Sequence, residues 1–368
     1  MKKVIILAWT LMFFVAPIWA FKILHIAFHK GCLNDIKSVI SMLNDQQNRY
    51  KKIELESWFI HDDANRFEGL PHCGDDIYNI HHLRAKRVWE KNKNYFLSFD
   101  LIITSDTVPL ARIFLENSCP VPLVIWVCNR FDYSVNPSKE LPFPDLAYYK
   151  LIQDAASHKN VRIVSYTDYE HVYAKRKGIN IGTQVIRPIG SNLVKASEEK
   201  SSLIPGDINK KETLFLTPRL TKEQTKEVVQ QCKKRGVEVW SGKYNGPDDL
   251  CGFKGIIFFP YAYSNLAVFE NIQRGLVHFM PTKKFLLELG YVWDQTLRKN
   301  LNWCEWYDDR YKEIFIYFDS WQDLANKVSS INYDYYSNFA KKYSVYHSKK
   351  ALADWQALFN DFGLYQSK

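Results

Sequence analysis

The chain has 368 residues and a formal net charge of +9. That length exceeds what a single hydrophobic core usually fills and implies two domains. Hydrophobic residues make up 46% and charged residues 24%, a balance that excludes a disordered or fibrous chain. The lysines and arginines are spread along the sequence rather than gathered in a run, so no nucleic-acid-binding arm is expected.

In chain order, Lys2 and Lys3 precede an apolar stretch, 4–20, broken by Thr10 and Pro17 and closed by the small residue Ala20. This is the pattern of a secretory signal peptide or an N-terminal anchor. It directs the chain to the secretory pathway, the periplasm or a membrane face rather than the cytoplasm, and the basic charge is compatible with peripheral membrane association. Residues 21–28 read as a strand, 29–32 as a tight turn and 34–43 as a helix: the first unit of a Rossmann-like domain. The turn holds one glycine, Gly31, and so lacks the three-glycine dinucleotide fingerprint.

Strands are expected at 53–60, 100–105, 121–127 and 161–165, and helices at 83–92, 108–117, 148–157 and 168–177. A polar, irregular region, 61–80, interrupts them. The alternation predicts a parallel sheet. A further strand is expected at 184–189 and an interdomain linker at 195–212, where Ser, Pro and Gly cluster. The second half continues with strands at 213–217, 237–240, 256–259 and 276–280, and helices at 222–235, 266–274, 321–331, 333–347 and, separately, 349–359.

The seven cysteines, Cys32, Cys73, Cys119, Cys128, Cys232, Cys251 and Cys304, are widely spaced and form no C-x-x-C pair. Structural zinc is therefore not expected. Most should be free buried thiols, with room for one disulfide if the leader is real. His61, Asp62 and Asp63, and His81 with His82, lack a third ligand at a diagnostic spacing and read as polar loops. No G-x-S-x-G, H-E-x-x-H or Walker sequence is present.

The most informative segment is IIFFPYAYSNLAVFENIQRGLVHFMPT, residues 256–282. A short apolar run reads as a buried parallel strand, Pro260 stops it, and Ser264 and Asn265 are N-cap types for the helix that follows. A helix N-terminus at the carboxyl ends of parallel strands is an anion-binding place, and Glu270 lies early enough in the helix to reach a sugar hydroxyl. This segment resembles the donor-binding helix of GT-B glycosyltransferases. Eight positions before Glu270, where retaining members carry a second glutamate, this chain has Ala262, which departs from the retaining pattern.

The resemblance implies an α/β fold of two Rossmann-like parallel-sheet domains, 21–194 and 213–345, facing a cleft, with 346–368 packing back on the first. It implies a glycosyltransferase that moves a sugar from a nucleotide-sugar donor to an acceptor hydroxyl on a glycan, lipid or protein. It implies no metal, since there is no D-x-D, and no cofactor beyond the co-substrate. Carried over residue by residue, Arg219 and Lys222, or Lys226 in its place, would hold the donor diphosphate, Gly242 would lie near the base, and Ser264, Asn265 and Glu270 would complete the donor side. The acceptor edge would be His29, Lys30, Gly31, Asp106, Asn129, Arg130 and Asp132. A transfer with inversion needs a base for the acceptor proton, and His29 and Asp106 are the candidates. The alternative is a two-lobed extracytoplasmic protein that binds solutes or glycans without catalysis, or a transferase fold that only binds glycans.

Overall fold

The computed structural model describes residues 20–45, 52–62, 78–135, 143–191, 202–292 and 294–363. The expected leader (but for Ala20), most of the polar region, residues 195–201 of the expected linker and Cys73 lie outside the described residues. Among the described residues no helix is long and apolar enough to cross a membrane.

The first half is a five-stranded parallel sheet: β1 (Phe21–Ala27), β2 (Ile53–Phe59), β3 (Leu101–Asp106), β4 (Leu123–Val127) and β5 (Val161–Ser165), in the order β2-β1-β3-β4-β5. All residues of β3 and β4 are buried, as expected of strands covered on both faces; β4 is an unbroken apolar run, and β3 is apolar over Leu101 to Ile103 before it turns polar at its carboxyl end. One face carries α2 (His82–Phe96), α3 (Arg112–Leu115) and α4 (Leu146–Ala156); the other carries α1 (Lys30–Asp45). The helix α5 (Asp168–Arg176) follows β5.

The second half repeats the plan. Strands β6 (Thr213–Leu216), β7 (Glu238–Ser241), β8 (Gly255–Ile257), β9 (His278–Pro281) and β10 (Phe315–Phe318) are parallel, in the order β10-β9-β8-β6-β7. Read from the other edge, this is the same 2-1-3-4-5 winding as the first sheet. Around it lie α6 (Lys222–Lys233), α7 (Leu266–Gln273), α8 (Lys283–Leu289), α9 (Gln295–Lys299) and α10 (Trp321–Ser330). The start of α6 is set by a capping box, in which the Thr221 hydroxyl takes the Gln224 N–H and the Gln224 side chain takes that of Thr221.

Four expectations change. Residues 184–189 are not a strand: one bridge, Ser165 to Val185, is made. The segment then leaves the sheet near Pro188, which has no N–H to give. Residues 108–117 form a 3-10 turn, Val108–Ala111, before the short α3 rather than one helix. Residues 202–212, expected as linker, pack on the second half, with Ile204 in its core. The two expected C-terminal helices are one, α11 (Tyr333–Asn360). Around the expected break, Ser344, His347 and Ser348 lie on its buried face. The strand β10 carries no sequence expectation.

At 28 residues, α11 is about 42 Å long, enough to cross both halves. Its Ala340 belongs to the core of the second half, and Ala351, Leu352, Trp355, Leu358 and Phe359 belong to the core of the first. Between them His347 stacks on Phe269 with ring centroids 5.0 Å apart, and its Nε2 lies 2.8 Å from the Pro188 carbonyl oxygen. Trp355, fully buried, meets the edge of Trp126 at 5.6 Å. Trp355→Ala should therefore destabilise the protein by about 3–5 kcal/mol, seen as a lower urea midpoint; a loss below 1 kcal/mol would mean that the helix end contributes little to the first half.

Candidate active site

In a sheet wound 2-1-3-4-5, neighbouring connections diverge between the first and third strands, and ligands bind outside the carboxyl ends at that point. Here the two switch points are β1/β3 and β6/β8. They supply the two walls of one cleft.

On the first wall, β1 runs into His29, whose Nδ1 accepts the Gly31 N–H at 3.1 Å. A side chain at Gly31 would strike the His29 ring and the Leu266 side chain, both at 2.8 Å. Glycine is thus what allows the start of α1 to approach α7. A hydrogen bond with the Cys32 thiol raises the proton affinity of His29, with the Glu270 charge adding to it and burial and Arg219 opposing it. Lys30 is exposed.

Asp106, the last residue of β3, is buried and has φ 75°, a left-handed backbone that is strained for a side chain other than glycine. Its Oδ1 accepts the Asn129 Nδ2–H at 2.7 Å, and its carbonyl oxygen accepts the Asn129 N–H at 3.1 Å. Burial pushes the carboxyl up to about 6, with the Asn129 bond and His61 pulling the other way. Arg130 lies 5.4 Å over the ring of Tyr263 in the other half. Asp132 is tied inward: it accepts from the Tyr149 and Tyr173 hydroxyls, each at 2.8 Å, with Lys177 at 3.7 Å.

On the second wall is a cavity of about 490 Å³ lined by Arg219, Lys243, Tyr244, Tyr261, Asn265 and Ala267, among others. The Arg219 guanidinium lies 4.7 Å over the Tyr261 ring. The first turn of α7 borders this cavity, and no side chain caps it. The Asn265 side chain, of a type expected to cap, accepts the Trp306 indole N–H at 3.1 Å instead. The Ser264 hydroxyl is buried without a partner. Lys222 borders a separate, more open depression with Leu220 and Thr225. Gly242 lies against the ring of Trp240, which a side chain there would strike at 2.6 Å; the residues that follow it, Lys243 and Tyr244, line the cavity.

Glu270 stands between the walls. Its carboxylate accepts from the Ser191 hydroxyl. Beside it Gln273 donates to the Ile189 carbonyl oxygen, and the Gly190 N–H donates to Asp35 Oδ1 at 2.7 Å. Gly190 has φ +81°, and a side chain there would strike Gln273 at 2.9 Å. A stack of Tyr169 on Tyr263, with centroids 3.7 Å apart and an interplanar angle of 15°, and the pairing of Arg187 with both Asp168 and Glu305 also join the halves.

Several of these residues escaped the sequence reading. Lys243, Tyr244 and Tyr261 follow strand ends and could have been found by their place after a strand; Asp35, Ser191 and Glu170 could not. Glu170 is buried, with Oε2 unpartnered, and burial pushes its carboxyl up to about 7 against the opposing charge of Arg130. Among the described residues no group of three or more His, Cys, Asp or Glu side chains is placed to hold a metal ion.

Burial also pushes the Asp35 carboxyl from 3.8 up to about 8. Between these values the folded state holds a proton that the unfolded chain has released. The site's contribution to stability therefore falls as pH rises from about 4 to about 8 and is level above that. Asp35→Asn keeps an acceptor for the Gly190 N–H and removes this dependence. Its urea midpoint, relative to the native chain, should improve between pH 5 and pH 8; parallel pH curves for the two proteins would show that Asp35 is ionised when folded.

No protein-family model matches this chain, and no curated protein matches it. Solved structures do. HepE of Anabaena, crystallised with UDP and glucose, superposes with a TM-score of 0.50 at 13% identity over 93% of this chain and 99% of its own. The apo structure of OtsA gives 0.48 at 9% identity over 95% and 100%, and the glycosyltransferase SnogD of Streptomyces nogalater gives 0.43 at 10% over 92% and 100%. At these identities the likeness concerns the fold, and it spans both halves.

Proposed function

We propose that this chain, whose fold is that of the GT-B glycosyltransferases, transfers a glycosyl group from a nucleotide-sugar held by its second half to an acceptor hydroxyl at its first. The observation that carries the reading is the cavity at the β6/β8 switch point. Two cations, Arg219 and Lys243, and an uncapped helix start meet there beside Tyr244 and Tyr261. Helix N–H groups and a guanidinium suit a diphosphate, and the tyrosine rings offer flat faces to a base. HepE, of the same fold, was crystallised with UDP and glucose, which supports a nucleotide donor here.

In the proposed reaction the acceptor O–H loses its proton to a base as its oxygen bonds to the sugar carbon, and the bond from that carbon to the diphosphate breaks. Asp106 is the better base of the two candidates, being fixed by Asn129 at a strand end; His29 flanks it on the β1 loop. Charge on the departing diphosphate is met by Arg219, Lys243 and the start of α7, groups already oriented before the reaction, so the proposal requires no metal. The two-lobed binding protein would use the same cleft, but it gives no role to a strained, buried carboxyl at a strand end.

Donor binding is tested by thermal shift with UDP-, GDP- and ADP-sugars and with free sugars. One nucleotide-sugar should raise the melting temperature. Arg219→Ala should weaken it by roughly ten- to hundredfold in Kd, the worth of a hydrogen bond to a charged group. Stabilisation by free sugars alone, indifferent to Arg219, would sink the transferase and favour the binding protein.

For the chemistry, Asp106→Asn should leave donor binding intact and lower the transfer rate by about 10²–10⁴-fold. In the native chain the rate should rise with pH through about 6, as the Asp106 carboxyl loses its proton. An unchanged rate in the variant would move the base to His29.

A further inference from the structure

We propose that Cys32 and Cys128 form a dithiol–disulfide site in the floor of the cleft, closed by exchange with a small disulfide such as oxidised glutathione. Cys32 lies in the first turn of α1, and Cys128 is the first residue after β4. They are 96 positions apart in sequence, yet their Sγ atoms lie 3.8 Å apart. A disulfide needs about 2.05 Å, so closing the gap takes less than 2 Å of movement. Both thiols are free, as are Cys119, Cys232, Cys251 and Cys304.

The pair's location gives it a consequence. In the first sheet β3 runs between β1 and β4, so the bond would join the start of α1 to the end of β4 across the end of β3, where Asp106 sits. The Asn129 N–H, one residue beyond Cys128, holds the Asp106 carbonyl oxygen. On the other side, the Cys32 thiol is the hydrogen-bond partner that raises the proton affinity of His29. Both candidate bases therefore flank this sulfur pair, and oxidation would remove the thiol that supports one of them.

The exchange balances as follows. Cys128, half-buried where Cys32 is 2% exposed, loses its proton and attacks one sulfur of oxidised glutathione, releasing a glutathione thiolate. Cys32 then loses its proton and attacks the Cys128 sulfur of the mixed disulfide, releasing the second glutathione. Two cysteine thiols are oxidised and one glutathione disulfide is reduced to two thiols. The hydrogen bond to Cys128, together with burial, holds the Cys32 thiol up, and burial holds Cys128 up; a thiolate is the attacking species, so the exchange should quicken as pH rises.

The test uses the reduced full chain incubated with oxidised glutathione, then alkylated and digested without reductant for mass spectrometry. A linked peptide pair holding Cys32 and Cys128, reopened by dithiothreitol, is the expected result. Cys32→Ser should stop the reaction at glutathione bound to Cys128. The His29 imidazole, titrated by NMR, should have a lower midpoint in the oxidised chain than in the reduced one. Cys32 and Cys128 still open to alkylation while exposed Cys251 carries glutathione, or either of them linked to Cys73 or another cysteine, would overturn the proposal. A pair that forms without moving the His29 midpoint would overturn its link to the site. None of these readouts depends on glycosyl transfer.

Discussion

The cleft depends on how one backbone N–H is satisfied. Gly190 leaves the first half in a left-handed conformation, packed too closely against Gln273 for any side chain, and gives its N–H to Asp35. That carboxyl is buried, and its second oxygen has no partner. A buried acceptor of this kind is tolerated at the cost of keeping its proton. In return, α1, the crossing segment and α7 meet at one point. The separation of the switch points follows from that contact, because α1 starts beside one and α7 beside the other.

Around this contact the chain surrounds the junction with aromatic and ionic groups from both halves. Tyr169 on Tyr263, Arg187 between Asp168 and the buried Glu305, and His347 on Phe269 lie where a solvent-filled gap would otherwise separate two independent domains. Stacked rings contribute beyond their buried area, and a buried carboxylate is tolerable only when paired. These contacts fix one arrangement of the halves, in which polar groups on loops from two sheets are brought within reach of each other.

Much of the architecture was legible because parallel strands covered on both faces are mostly apolar: β4 is so throughout, and β3 and β5 carry apolar stretches of their own. The segment 256–282 was legible because Pro260 and Gly275 punctuate it. What could not be read depends on distance between segments remote in the chain. Asp35 looks like a residue on an early helix turn until Gly190 is placed above it. The break expected between 347 and 349 is absent, because Ser344, His347 and Ser348 are buried, His347 by a helix and a crossing segment that the local pattern does not show. Asn265 is of a capping type by sequence, but Trp306, 41 positions away, takes its side chain. The strain at Asp106 has no sequence signature, since aspartate is ordinary at a strand end. Glu270, expected on the donor side, accepts a hydrogen bond from Ser191, which belongs to the junction.

The path of α11 has a consequence for how the protein is made. Part of the face of the first sheet that holds Trp126 is covered by Trp355, Leu358 and Phe359, which are synthesised long after the strands they cover. At usual elongation rates the roughly 170 residues between the crossing segment and that helix end take on the order of ten to thirty seconds. For that interval the part of this face beside α1, which α11 will cover, stays bare on the nascent first half. The first half can therefore complete its packing only once the end of α11 is available.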